Sequence, residues 1–589
     1  MTDPTSFYNQ QLEQHQTEVS KLKKQMVLLS TLRLFAFLIT AIAIYLLLPN
    51  WQLAVGAGVV GCILFVILLT KYTNTKSKRA LKASLVSINH DELEIRSGKF
   101  HNRDKGENFQ DPQHFYSLDI DLFGNGSFFQ YLHRTKTPEG HHLLADLLKA
   151  NNVSDIKKRQ NAIAELSNKV EWTQLYSATA DQIKTEFSAP PIISWLKNHK
   201  PFIPNIMLWL PWVFTAVSVS LLLLAIFNII DISYFGYWIF AGFAVTARYV
   251  KRINVLAANS DKAKDTFRQY ATLLLQIENE KFTSEWLKEQ QNRIQSYNKK
   301  ASSIFSEFSK RLDALDNRNN LIGAVFGNGY LLSDLKNAYR VEQWISSYAN
   351  KVEDWFEVVS FFDAYNSLGT YAFNHQEHSF PKIVSNGTTI DAKQLGHPLL
   401  DHSKRITSDV EIKRQQFFIV TGANMAGKST FLRTISLHIV MANVGLPVCA
   451  SSSNYNPIKL ITSMRTTDSL TDDSSYFFSE LTRLKFIVDA IENESYFIIL
   501  DEILKGTNST DKAIGSRKFV EKLVSRKATG IIATHDLSLC EISEVLDVVE
   551  NYYFDAEITN DELYFDYKFK KGICHNMNAS FLLKKMEII

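Results

Sequence analysis

The residues from Phe417 to Ile435, FFIVTGANMAGKSTFLRTI, restrict the fold of this chain more than any other stretch. Phe417, Phe418, Ile419 and Val420 form a short apolar run that ends at Thr421-Gly422. Gly422, Ala423, Asn424, Met425, Ala426, Gly427, Lys428 and Ser429 come next, and Thr430 then opens a segment with Phe431, Leu432 and Ile435 at helical spacing. The apolar run reads as a buried strand and the periodic segment as a helix. Strand, glycine loop and helix in that order give G-x-x-x-x-G-K-[ST], a phosphate cradle in an α/β domain. Glycines let the backbone wrap closely around phosphate, and N–H groups at a helix start are oriented donors. Lys428 is placed to bridge the β and γ phosphates and the Ser429 hydroxyl to hold Mg²⁺, so ATP with Mg²⁺ is the expected ligand pair.

Composition bounds the rest loosely. At 589 residues the chain is long enough for several domains, each able to bury a core. A formal net charge of +3 neither marks a strongly basic nucleic-acid binder nor excludes a local basic surface. Cys62, Cys449, Cys540 and Cys574 stand far apart, with no C-x-x-C pair. That spacing argues against a disulfide framework and a structural zinc site, and for a reducing compartment. No cleavable leader is expected, because the first 30 residues are polar and charged.

Two stretches suggest a bilayer. Residues 1–33 read as an amphipathic helix with a basic cluster at Lys21, Lys23 and Lys24. From Leu34 to Thr70 there is no charged residue, and Pro49-Asn50 divides the run. A second apolar pair, Ile206–Ile230 and Tyr234–Ala247, turns at Asp231-Ile232-Ser233. Lysines and arginines flank both hairpins outside and are missing from both tips. The positive-inside rule then predicts a multi-pass protein of the inner (cytoplasmic) membrane, with both termini and every large segment in the cytoplasm. The last apolar segment is the shortest and is open to an interfacial reading instead.

Two further apolar runs lie beyond the phosphate loop. Tyr496-Phe497-Ile498-Ile499-Leu500 ends in Asp501-Glu502, as a buried parallel strand delivering Asp to Mg²⁺ and Glu to the attacking water would. Gly530-Ile531-Ile532-Ala533-Thr534 closes on His535, in reach of a γ-phosphate. Loop, Asp-Glu and His in this order resemble ABC-type ATPases.

The details are similar to one family, the MutS DNA mismatch repair ATPases. TGANMAGKSTFLRTI resembles its phosphate loop, Ser475-Tyr476-Phe477-Phe478-Ser479-Glu480-Leu481 its S-T-F-x-x-E-M signature, and Ala533-Thr534-His535 its A-T-H. Asp501-Glu502-Ile503 with Lys505-Gly506-Thr507-Asn508-Ser509-Thr510-Asp511 resembles its D-E-[IL]-G-R-G-T-S-T-x-D segment, and His397-Pro398-Leu399-Leu400 its R-H-P element. Upstream, Ser127–Gly140 with Leu143-Leu144 looks like the opening of the family's lever domain. The resemblance implies an ABC-type P-loop ATPase domain over 391–589 and an all-α lever over 119–203 and 251–390. The transmembrane hairpins then occupy 34–70 and 204–250, with a linker over 71–118. It also implies a homodimer through the ATPase domains. Lys428 and Ser429 would hold phosphate and metal, Asp501 would order Mg²⁺, Glu502 would orient the water and His535 would sense the γ-phosphate. Ser475 would reach the partner subunit's nucleotide.

Departures from the family pattern limit how far the resemblance carries. Phe305-Ser306-Glu307 matches the family's mispair wedge F-x-E in spelling only, on a predicted helix. Arg405–Val410 stands where the family places a base-stacking aromatic, and Leu504 replaces the glycine after D-E-I. Residues 254–350, polar with apolar positions at helical spacing, are expected as extended arms. Two readings stay open. One is a membrane-anchored ATPase that still binds mismatched or branched DNA, with Lys299, Lys300, Lys310, Arg311 and Arg318 as phosphate contacts. The other is a mechanochemical ATPase acting on a protein or envelope partner without DNA.

Overall fold

The computed structural model describes residues 3–183, 188–295, 299–316, 321–385, 387–465, 476–559 and 562–574. The chain divides into two compact units. The first takes Met1–Glu92, Thr135–His141 and Glu171–Ala364, the second Leu93–Arg134, His142–Val170 and Tyr365–Ile589.

The described residues of the first unit are helix and connecting turns. Pro4–Leu47 is one helix of 44 residues, started by the Asp3 carboxylate accepting from the Ser6 N–H at 2.9 Å. The amphipathic segment thus runs unbroken into the apolar one. Trp51–Arg96 is next, a helix of 46 residues that carries the hairpin's second arm well into the expected linker. Nothing stops it, since Thr70–Arg96 holds no Gly or Pro. Among the described residues these two helices are long and apolar enough to cross a membrane, and only 6% and 11% of their most apolar windows are buried. The second pair is shorter, 17 residues over Leu210–Ile226 and 16 over Ile232–Ala247.

A third apolar helix, Leu321–Leu331, packs against that pair. A Cβ on Gly242 would come within 2.3 Å of the Gly329 carbonyl oxygen, so only glycine allows this approach. Trp238 Nε1 donates to Ser218 Oγ at 2.9 Å, and Ser218 Oγ reaches the Tyr330 carbonyl at 2.8 Å. The sequence reading missed this element because its three glycines, Gly323, Gly327 and Gly329, and Asn328 lower helix propensity.

The expected arms of 254–350 have a compact core instead. Phe267, Phe305, Phe308 and Trp344 are buried together, Phe267 edge-on to Phe305 at 4.7 Å and Phe308 stacked on Trp344 at 3.6 Å. The apolar stripes of Val250–Asn279 and Ala301–Asp316 face each other, which two separate arms could not do. Phe305 is fully buried and is no wedge. In the Ser127–Gly140 motif, the Thr137 N–H and hydroxyl donate to the buried Asp363 carboxylate at 2.8 and 2.7 Å, a structural task.

The second unit is built on a six-stranded sheet. Its spatial order is Lys570–Lys571, Val549–Phe554, Phe417–Gly422, Thr529–Ala533, Tyr496–Asp501, Lys459–Ser463. All pairings are parallel except the first. A four-stranded sheet combines Lys382–Ile383, Ser452–Tyr455, Thr388–Leu395 and Ser408–Lys413. Residues 142–170, expected within the lever, belong to this unit. Polar side chains seat them: Arg159 Nη2 donates to the Asn443 carbonyl at 2.6 Å, and Asn151 pairs with both backbone groups of Leu460 at 2.9 and 2.8 Å. Nearby in sequence, the Asp119 carboxylate accepts from Thr462 Oγ1 at 2.5 Å and from the Arg465 N–H at 2.9 Å.

Candidate nucleotide site

Strand order assembles the site. The strand leading to His535 lies between the phosphate-loop strand and the strand ending in Asp501. Val420 and Asp501 both pair with Ala533, so three adjacent strands reach their carboxyl ends in one row. Ligands of open parallel sheets bind in the crevice at such ends. Loop, carboxylates and histidine therefore converge although roughly 100 residues separate them.

The loop passes directly into the helix Lys428–Val444. Gly427 has φ of 104°, and a Cβ there would meet the Tyr567 ring at 3.1 Å. Gly422 ends the preceding strand, Ala423, Asn424, Met425 and Ala426 lie in the turn, and Thr430 lies in the first turn of the helix, Met425 being 76% exposed. Lys428 is buried, with Nζ donating to the Gly422 and Ala423 carbonyls at 2.8 and 3.1 Å and lying 3.2 Å from His535 Nε2. Burial lowers its pKa below the usual lysine value, so an anion entering the loop finds a poorly solvated ammonium.

Ser429 Oγ donates to Asp501 Oδ2 at 2.7 Å. A hydroxyl beside a carboxylate is an oxygen donor set suited to a hard cation, so these two side chains fit Mg²⁺. Burial raises the Asp501 pKa, while Glu502 is held at about 2, chiefly by its hydrogen bond with His535. His535 Nε2 lies 2.9 Å from Glu502 Oε1. Adjacent acids are thus pushed in opposite directions, the usual mark of divided roles.

The turn after these acids is held by Glu480, which lies in the helix Tyr476–Asn493 and is buried. Its two carboxylate oxygens accept from the Leu504 and Lys505 N–H groups at 2.5 and 3.0 Å. Downstream, the Asn508 side chain accepts from the Asp511 N–H and starts the helix Ser509–Ser525. Ser475 lies outside the described residues.

A cleft of about 280 Å³ opens beside the loop, lined by His397, Ile406, Gly427, Phe431, Phe554 and Tyr567. Burial takes His397 down to about 4, so it is a neutral ring there. Arg405–Val410 holds no aromatic, but Tyr567, 140 residues beyond Gly427, lies against that glycine. Sequence reasoning missed Tyr567 and Phe554 because nothing local marks them.

Residues 418–585 match the family model of MutS domain V. Over this stretch the chain resembles MutS domain V. Human "MutS protein homolog 4" is 34% identical over 212 residues, which cover 34% of this chain and 22% of that protein. Arabidopsis thaliana "DNA mismatch repair protein MSH4" is 29% identical over 214 residues, 36% of this chain and 27% of that protein. Finegoldia magna "DNA mismatch repair protein MutS" is 29% identical over 231 residues, 38% and 27% of the two chains. The match thus spans about a quarter of the length of these curated relatives.

Leu504 is one of several non-glycine residues in this part of the chain with left-handed backbone. Leu504 has φ of 60°, a left-handed conformation that favours glycine, yet its side chain is buried in the domain core. Left-handed backbone costs a non-glycine residue about 1–2 kcal/mol, and burying a leucine contributes about 1.5–3 kcal/mol. Burial wins, so Leu504→Gly should lower stability by about 1–2 kcal/mol in chemical denaturation. A more stable variant would show that strain dominates at this turn.

Proposed function

We propose that this chain is a membrane-anchored MutS-type ATPase that binds and hydrolyses ATP with Mg²⁺ and works as a dimer through its domain V. The observation that carries the reading is the convergence of Lys428, Ser429, Asp501, Glu502 and His535 at adjacent strand ends. Phosphoryl transfer needs positioning and charge neutralisation more than covalent help, and these groups supply both. Bound Mg²⁺ would neutralise phosphate charge between Ser429 and Asp501. Lys428 meets the β and γ phosphates, the base enters the cleft of Tyr567 and Phe554, and Glu502 accepts a hydrogen bond from the attacking water while His535 senses the γ-phosphate. Ser475 completes the site of the opposite subunit.

The anchor is supported by the two long apolar helices, whose most apolar windows are only 6% and 11% buried. That is the wrong arrangement for core helices of a soluble domain and suits lipid. Placement in the inner (cytoplasmic) membrane, with domain V on the cytoplasmic side, rests on the lysine and arginine flanks. DNA is the proposed substrate, by analogy with relatives named for mismatch repair.

One observation favours the second reading, a protein or envelope partner. Of the basic residues that could meet phosphates, Arg311 pairs with Glu307 at 2.7 Å and Lys299 with the same carboxylate at 3.4 Å. Arg318 lies outside the described residues. The discriminating experiment is the ATPase rate of the detergent-solubilised chain with single-stranded, duplex, mismatched and branched DNA at low salt. Mg²⁺-dependent turnover stimulated by one of these DNAs supports the first reading. Turnover indifferent to all of them, with no binding, supports the second, and no turnover at all removes both.

A further inference from the structure

Three side chains of the second unit, outside the nucleotide site, form a cluster that the ATPase reading does not use. Past the end of the helix Ser333–Asn374, one ligand atom each from His375, Glu377 and His378 lie within 4.8 Å of one another. His375 Nδ1 is 3.2 Å and His378 Nε2 is 3.6 Å from the same oxygen, Glu377 Oε1. A tetrahedral ion with bonds of about 2.0–2.1 Å separates its ligand atoms by about 3.3 Å, so both spacings bracket the required edge.

The outer nitrogens are already committed. His375 Nε2 lies 2.8 Å from Tyr131 Oη, and His378 Nδ1 lies 3.2 Å from Tyr371 Oη. Without an ion, His375 Nδ1 donates to the Glu377 carboxylate at 3.2 Å. Ligation shifts that proton to Nε2, where Tyr131 Oη accepts it. With His378 Nδ1 donating to Tyr371 Oη, the lone pairs of His375 Nδ1 and His378 Nε2 then face the ion. Metal-bound histidines are commonly oriented in this way by a partner on the other ring nitrogen. His378 Nε2 is buried and makes no hydrogen bond, a cost that a metal would remove. The Glu377 side chain is half exposed, so it leaves an approach from solvent.

We propose that His375 Nδ1, Glu377 Oε1 and His378 Nε2 form a site for a divalent transition metal of the zinc class, with water in a fourth position. Two imidazoles and a carboxylate are ligands for such ions rather than for Mg²⁺ or Ca²⁺, which prefer oxygen alone. The nearby Arg405 guanidinium opposes a cation, but it is turned to the Leu400 carbonyl at 2.8 Å and to Cys449 Sγ at 2.9 Å. The imidazole rings stack within 9° of parallel, so closing on an ion requires one ring to rotate about its Cβ–Cγ bond. The cysteine spacing that argues against a zinc site in the sequence does not bear on a His-Glu-His set.

The test uses the full chain in detergent, stripped with chelator and titrated with Zn²⁺ against a chromophoric competitor, then with Co²⁺ read by its visible spectrum. One tight Zn²⁺ per chain and a four-coordinate Co²⁺ spectrum are expected. Affinity should fall at least tenfold in Glu377→Gln, whose half-exposed side chain leaves packing intact, and further in His378→Ala. His90→Ala, in the other cluster of potential ligands, His90, Asp91 and Glu94, should change nothing. Lys428→Ala should keep the metal, which separates this site from failure of the ATPase reading. Wild-type affinity in both Glu377→Gln and His378→Ala, or an octahedral Co²⁺ spectrum, overturns the proposal.

Discussion

Glu502→Gln should bind ATP with an affinity within about threefold of wild type and lose turnover by about 10²–10³-fold. Glu502 accepts from His535 at 2.9 Å and does not touch the loop that holds phosphate, so its amide leaves the cradle intact. What disappears is the negative charge that orients and polarises the attacking water, a contribution of about 10²–10⁴ in rate for a well-placed base. The acid's pKa is held at about 2, first by the His535 hydrogen bond, against the opposing effect of burial. A carboxyl whose folded value lies below its unfolded value of about 4.3 stabilises the fold above that pH and loses the effect as pH falls toward 2. Between pH 5 and 9 the group stays ionised, so any decline of activity there belongs to another residue. Equilibrium binding with single-turnover hydrolysis measures both halves. Turnover at the wild-type rate would remove Glu502 from the role assigned to it.

The parts of the site legible in the sequence are those whose chemistry is local. A buried strand leading through a glycine loop into a helix announces itself within 19 residues, and so does an apolar run ending in Asp-Glu. The strand order that brings Ala533 beside both Val420 and Asp501 is not local. Similarity of motif order stood in for it. Contacts between distant chain segments leave no local mark to read: Tyr567 against Gly427, Glu480 holding the Leu504 turn, and the two tyrosines behind His375 and His378. The same limit applies to the fold. Apolar stripes on Val250–Asn279 and Ala301–Asp316 were readable, but not that each stripe's partner was the other rather than a distant surface. Leu321–Leu331 stayed hidden because close helix packing requires glycine, which is the residue that weakens a helix signal.

Lys428→Ala should reduce ATP affinity by about 10²–10³-fold while leaving the nucleotide-free protein folded. A charge-assisted hydrogen bond is worth about 1.5–3 kcal/mol and a lysine bridging two phosphates makes two, so even in the lower half of that range the loss is about 3–4 kcal/mol, or two to three decades. The effect on stability without ATP is much smaller, because two terms oppose each other. Removing the ammonium deprives the Gly422 and Ala423 carbonyls of a donor at 2.8 and 3.1 Å. It also removes a charge whose burial is unfavourable, as its lowered pKa shows. The net change should stay within about 1 kcal/mol, so the unliganded melting temperature moves by only a few degrees while the upward shift produced by ATP and Mg²⁺ vanishes. Loss of that shift together with a collapsed unliganded melting temperature would point to misfolding, and Lys428→Met, which restores the aliphatic stem without the charge, then separates the two causes. An ATP affinity unchanged in the folded variant would mean that phosphate is held elsewhere, and the division of roles among Ser429, Asp501, Glu502 and His535 would fall with it.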